Sequence, residues 1–189
     1  MYEHILVALD GSANAERVLP HVQELAAKLG SRITLLRATT PAIDLIPPGA
    51  AGMPVGDLPA YGRVPPELAA DQIEMVVDAE TKEAAVYLAG VAQRLSDSGL
   101  QVQVDYPNDR ASDAILRRAD ELGAGLIAMT THGRSGLARA LLGSVADEVV
   151  RRSKCPVLLV RVTDDEAEAD EERGAVSDRP NSVGGEANG

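Results

Sequence analysis

Apolar residues along this chain of 189 fall into two alternating textures. One consists of short, nearly unbroken runs: HILVAL from His4 to Leu9, ITLL from Ile33 to Leu36, LIAM from Leu126 to Met129, and PVLLV from Pro156 to Val160. The first three read as buried strands and the last as an apolar terminal strand. The other texture has helical spacing. Between Asn14 and Leu29, the residues Val18, Val22, Leu25, Ala26 and Leu29 share one side, and Gly30 marks the stop. Pro20 removes a backbone donor within that stretch, which predicts a local bend or an early irregular turn. A long helix is predicted from Glu67 to about Asp97, with a core stripe at Val77, Thr81, Ala84, Leu88, Val91 and Leu95 and an end at Ser98-Gly99.

Val102, Val104 and Tyr106 alternate with polar residues, as in a less buried strand nearer a sheet edge. Asn108 or Asp109 would cap the helix that follows, through Ala114, Ile115 and Leu122 to Gly123. Ser144 is the expected N-cap of the last helix, with Asp147 completing a capping box. Arg151, Arg152 and Lys154 stand at its other end, where cations oppose the helix dipole.

Strands and helices thus alternate from one end to the other. The expected fold is α/β: a doubly wound, five-stranded parallel sheet with helices on both faces and right-handed crossovers. Such sheets bind ligands outside the carboxyl ends of the strands, where the strand order reverses. Two strand ends are polar and turn-prone, Asp10-Gly11-Ser12 after the first and Thr130-Thr131-His132-Gly133 after the fourth. They are expected to face one crevice.

Composition narrows the picture. There is no Phe or Trp, so the core is aliphatic. The net charge of −11 is concentrated: residues 164–189 hold nine acidic and two basic side chains, which leaves −4 for the rest. A domain at −4 has no basic field to attract duplex nucleic acid. Cys155, the single cysteine, has no intramolecular partner, suits a reducing compartment and is expected to be a small buried hydrophobe. The chain opens on a strand without a basic-apolar-small leader, and no window approaches 18 apolar residues. A soluble cytoplasmic protein without a membrane partner is therefore expected.

Residues 41–66 carry seven prolines and four glycines. That content predicts an irregular surface insertion, with a lid or a partner contact as the alternative. From Asp164 the acidic, aperiodic sequence predicts a disordered tail, so the domain is expected to span residues 1–163.

The candidate chemistry is phosphate binding. No G-x-x-x-x-G-K-[ST] loop is present, and no G-x-G-x-x-G follows the first strand. Gly133 and, ten residues on, Gly143-Ser144 lie between a strand and a helix start, where free backbone N–H groups suit an anion. Arg134 and Arg139 in the intervening loop would screen phosphate charge or be ordinary exposed arginines. Asp10 is either a carboxylate of the crevice or a cap for the first helix, alone or with Ser12. His132 is either a ligand contact or a turn residue. His4 and His21 read as structural. No paired carboxylates, metal-ligand spacing or Ser/His/Asp arrangement emerges.

Three segments together resemble a universal stress protein domain of the ATP-binding branch: HILVALDGS, LIAMTTHGRSGLARALLGSVADEVVRRS and CPVLLVR. The resemblance runs from Met1 to about Arg161. The family's motif, G-x2-G-x9-G-[ST], is matched by Gly133, Gly143 and Ser144, with Thr130 in place of its first glycine. The resemblance implies a Rossmann-like fold, similar to the adenine nucleotide alpha hydrolases, and ATP with Mg2+ or Mn2+ as its ligand. It also implies roles for individual residues. Ala8 and Leu9 would line the base pocket, Asp10 would face the ribose with Ser12 in the same turn, and Ala38 would offer its backbone to adenine. Met129 would pack on the nucleoside beside Thr130. His132, Gly133, Gly143, Ser144, Val145 and Ala146 would surround the phosphates. A homodimer through strand 156–160 and a nucleotide-responsive role in stress response complete the implied picture. The alternatives are a slow ATPase or phosphoryl-transfer enzyme in the same pocket, and a nucleotide-free protein that binds a partner.

Overall fold

The computed structural model describes residues 2–41, 66–132 and 143–162, with the backbone alone for residues 66–72 and 132. Five parallel strands form one sheet: β1 (His4–Ala8), β2 (Arg32–Leu36), β3 (Val102–Asp105), β4 (Leu126–His132) and β5 (Val157–Val162). Their order is β3-β2-β1-β4-β5. The chain starts in the middle, winds outward through β2 to β3, and then crosses over β1 to build the other half. The order reverses between β1 and β4, as the doubly wound pattern requires. The register sets Ile5 level with both Ile33 and Leu126.

Alternation along the strands divides the core in two. Ile5, Val7, Ile33, Leu35 and Ala128 pack with Val18, Val22 and Ala26 around α2 (Leu19–Leu29) and with Leu88, Val91 and Leu95 of α3 (Pro66–Asp97). Leu6, Leu36, Ile127 and Met129 point to the opposite face. There they meet Ile115 and Ala119 of α4 (Ala111–Leu122) and Ala146 and Val149 of α5 (Ser144–Arg152). Helices therefore cover both faces, as expected.

Pro20 acts where the sequence placed it. The first helical stretch divides into α1 (Ala13–Glu16) and α2, and Pro20 falls in the first turn of α2, where a missing N–H breaks no helical bond. Gly30 and Gly123 end α2 and α4 in the left-handed conformation, at φ 68° and 60°.

Other boundaries differ from expectation, for local reasons. Neither Asn108 nor Asp109 caps α4, whose N-cap is Arg110. Asp109 Oδ1 accepts instead from the Arg110 N–H, and the Asn108 amide donates to Thr39 Oγ1 and to the Thr40 carbonyl. The N-cap of α5 is Gly143, so Ser144 is its first helical residue, and the expected capping box is absent. Asp147 pairs with Arg151 instead, at 3.0 Å.

Strand β4 does not break after Met129. Thr130, Thr131 and His132 continue the ladder against Val160, Arg161 and Val162 of β5, which extends to match. β-Branched threonine favours a pleated strand, and a paired neighbour holds it there. The α3 stripe is buried at Ala84, Leu88, Val91 and Leu95, yet only half-buried at Val77 and Thr81. A 32-residue helix is about 48 Å long, far longer than a five-residue strand of about 17 Å, so its first turns overrun the sheet.

Cys155 is half-buried rather than buried, because it lies on the flank just ahead of the edge strand β5, with Sγ 3.6 Å from Ser153 Oγ. His4 is buried, Nε2 lying 2.8 Å from Thr34 Oγ1. The expectations for residues 42–65, for Gly133, Arg134 and Arg139, and for the acidic tail fall outside the described residues. No helix among the described residues is long and apolar enough to cross a membrane.

Candidate functional site

The strand reversal opens a cleft of about 240 Å³ at the carboxyl ends of β1 and β4. Ala8, Leu9 and Asp10 form one wall, Met129, Thr130 and Thr131 another, and Gly143, Ser144, Val145 and Ala146 of the α5 start a third. Ala111 and Ile115 of α4 close it from above. The cleft continues over β2 into a second space of about 270 Å³, which shares Ala8, Leu9, Asp10, Ala111 and Ile115 with the first. Arg37, Ala38, Thr39 and Thr40 border this extension, opposite Glu80 and Glu83 of α3.

The Asp10-Gly11-Ser12 turn shapes the rim. Asp10 Oδ1 accepts from the Ser12 N–H at 2.8 Å, and Ser12 Oγ accepts from the Ala15 N–H at 3.1 Å. Ser12 is thus the cap of α1, and Asp10 fixes the turn while presenting an exposed carboxylate to the cleft. Gly11 sits at φ 92°, and a Cβ there would lie 2.9 Å from Arg37 Cζ. The Arg37 guanidinium lies over this glycine, held by Glu83 at 2.9 Å and stacked 5.5 Å above the Tyr87 ring. Burial, reinforced by the nearby Glu16 carboxylate, pushes the Tyr87 hydroxyl above its usual pKa and keeps it neutral.

The opposite end of the cleft has the character of an anion cradle. The first intrahelical bond of α5 runs from the Asp147 N–H to the Gly143 carbonyl, 2.9 Å. The N–H groups of Ser144, Val145 and Ala146 precede that bond, and the N-cap, Gly143, has no side chain with which to cap them. Gly143 has φ −56° and ψ 152°, and a Cβ built on it meets nothing within 4 Å. Among the described residues, open space therefore lies at Gly143, beside these donors at the positive end of a helix dipole. Between this cradle and the Glu80 end the walls are apolar: Ala8, Leu9, Ile115 and Met129. Such a cleft suits an elongated ligand with an anionic end, a flat apolar body and polar edges.

Nine of the residues singled out in the sequence line the cleft: Ala8, Leu9, Asp10, Met129, Thr130, Gly143, Ser144, Val145 and Ala146. Ala38 lines the extension. Ser12 lies in the rim turn as the α1 cap rather than in the lining, and His132 ends β4. Thr131, in the polar end of the fourth strand that was expected to face the crevice, lines it too, whereas Ala111, Ile115, Arg37, Thr39, Thr40, Glu80 and Glu83 were not anticipated. Arg37, Thr39 and Thr40 directly follow a strand, so the carboxyl-end rule could have found them. Glu80 and Glu83 carry no such signal, since their place depends on how α3 crosses the sheet.

The architecture has counterparts among known proteins. The family model described as "Universal stress protein family" matches residues 1–161. The chain belongs to that family. Universal stress protein YxiE of Bacillus subtilis is 29% identical over 161 residues, covering 85% of this chain and all of that one. A universal stress protein of Thermus aquaticus is 30% identical over 161 residues, with the same coverage. The solved structure of the protein MJ0577 superposes with a TM-score of 0.66 at 24% identity, covering 87% of this chain and 99% of that chain. Lactobacillus plantarum UspA superposes at 0.62 with 20% identity, covering 85% and 98%. These superpositions place the five-stranded parallel sheet and its helices in the universal stress protein fold.

Proposed function

We propose that this universal stress protein binds an adenine nucleotide, ATP first among them, in the cleft between β1 and β4 and serves as a nucleotide-responsive regulatory module. The observation that carries the reading is the uncapped start of α5. Three backbone donors that precede the first intrahelical bond line the cleft beside Gly143, where a Cβ would meet none of the described residues within 4 Å. In this reading the N–H groups of Ser144, Val145 and Ala146, with the Ser144 hydroxyl, hold phosphate oxygens, and His132 and Gly133 adjoin them. Asp10 accepts from ribose hydroxyls, while Met129, Leu9 and Ala8 pack on the nucleoside. Ala38 meets the base through its backbone. Thr130, half-buried within β4, would stand beside the sugar where the family motif has glycine.

A Mg2+ or Mn2+ ion would arrive on the phosphates. The described residues contain no group of three or more His, Cys, Asp or Glu side chains able to hold a metal, and Asp10 is the carboxylate that β1 presents to the cleft. Such an ion would screen the phosphate charge.

The same reading includes a homodimer through β5. That strand pairs with β4 on one side and is the last strand of the sheet. Val157, Leu158, Leu159 and Val160 remain only half-buried, and an apolar strand with an open edge is stabilised by pairing with another.

Titration calorimetry with ATP tests the site: saturable binding at one site per chain is expected, and no heat with ATP, with or without Mg2+, would overturn the reading.

A further inference from the structure

We propose that Glu80 selects the base, reading the exocyclic amine of adenine from the α3 side of the cleft. The inference rests on the nucleotide reading above and extends it to a residue outside the motif. With phosphates at the start of α5, beyond β4, the base must extend the other way, across β1 toward β2. Strands stand about 4.8 Å apart, so the extension over β2 begins about 10 Å from the β4 end, where a nucleoside would place its base. Glu80 lines that extension.

Its carboxylate is fixed in place. The Thr40 backbone N–H donates to Oε2 at 2.9 Å, and the Thr40 hydroxyl donates to Oε1 at 3.4 Å. Thr40 is itself immobilised. The Asn108 amide donates to its carbonyl at 2.8 Å, and the preceding Thr39, buried, takes the Pro107 carbonyl through its own N–H at 3.0 Å. The segment leaving β2 is thus clamped between α3 and the loop before α4. A carboxylate has about four acceptor positions, and Thr40 occupies one on each oxygen. The remaining lone pairs can accept but cannot donate. Glu83, its neighbour on the helix, already has a cation in Arg37. An acceptor held rigidly at the base end favours a base edge bearing an amine and penalises one bearing a carbonyl, because a buried acceptor facing another acceptor leaves both unsatisfied.

The experiment compares ATP with ITP, whose purine carries a 6-carbonyl in place of the amine, by calorimetry on the full chain. Wild type should bind ATP at least tenfold more tightly than ITP. Glu80→Gln keeps an oxygen for Thr40 but can turn an amide N–H toward the 6-carbonyl. The variant should therefore bind ITP more tightly than wild type does, and the preference for ATP should fall below about threefold. Circular dichroism melts verify that the variant is folded. A wild-type preference below threefold, or a preference unchanged in Glu80→Gln, overturns the role of Glu80 while leaving the nucleotide site in place. Absence of ATP binding to wild type overturns the nucleotide reading, and this inference with it.

Discussion

Replacing Gly143 with valine separates the fold from the ligand site. Its φ of −56° and ψ of 152° belong to the extended region open to any L residue, and a Cβ there meets nothing within 4 Å. Two small effects on folding oppose each other. A β-branched N-cap is worse than glycine by about 0.5–1 kcal/mol, and removing glycine's freedom in the unfolded chain gains about 0.4–1 kcal/mol. Net stability should therefore stay within about 0.5 kcal/mol of wild type. Binding should respond very differently. The new side chain enters the space in front of the Ser144, Val145 and Ala146 N–H groups. Each charge-assisted hydrogen bond that a phosphate forfeits is worth about 1.5–3 kcal/mol. Loss of one alone comes to about 1.5–3 kcal/mol, a roughly 10- to 150-fold weaker Kd. Urea unfolding and ATP calorimetry on the same preparation measure both quantities, with Gly143→Ala as a milder step. A folded Gly143→Val protein that binds ATP within threefold of wild type would refute the phosphate cradle. A stability loss above about 1.5 kcal/mol would refute the claim that this position faces open space.

Four further outcomes are expected. His4 is held below its ordinary pKa of 6.5, by burial first and then by the nearby Arg32. The unfolded chain therefore binds the proton more readily, so stability is full above pH 6.5 and declines as the pH falls below it. Urea midpoints from pH 8 to 5 should show that decline, and His4→Gln should flatten it; an equal slope in the variant would exclude His4 as the cause. Leu88→Ala, in the core, should cost about 2–5 kcal/mol, whereas Val86→Ala, 75% exposed on the same helix, should stay within about 0.5 kcal/mol; equal losses in urea unfolding would contradict the assigned face of α3. Gly11→Ala combines a positive φ with a 2.9 Å approach to Arg37, and a loss of about 1–3 kcal/mol in thermal unfolding is expected, with a neutral result contradicting the rim geometry. Sedimentation should give twice the chain mass of 19.8 kDa, and a monomer at high concentration would contradict pairing through β5.

What the sequence disclosed followed from patterns that physics keeps local. Continuous apolar runs located β1, β2 and β4, because a strand buried on both faces has no room for polar side chains, and a similar run located β5, although as an edge strand it is only half-buried. Gly30 and Gly123 marked helix ends because only they adopt φ near 60° at little cost. The two polar strand ends, at Asp10 and Thr130, did meet in one cleft, since strand order places β1 beside β4. What escaped depended on contacts between distant segments. Thr130 to His132 read as a turn, but β5 pairing holds them as strand. Asn108 read as a cap and instead ties down Thr39 and Thr40. Ser144 read as an N-cap, and the shift of that role to Gly143 leaves the backbone donors uncovered. Glu80 lies outside the core stripe read for α3, and only the crossing of that helix brings it to the cleft.

The central claim is that the cleft between β1 and β4 holds an adenine nucleotide. Its most direct test is to denature freshly purified protein, identify the released small molecules by mass spectrometry, and repeat the measurement on Gly143→Val. Wild type should release an adenine nucleotide in a stoichiometric fraction of chains and the variant should release none. Equal release from both proteins, or no nucleotide from wild type together with no calorimetric response to ATP, would contradict it.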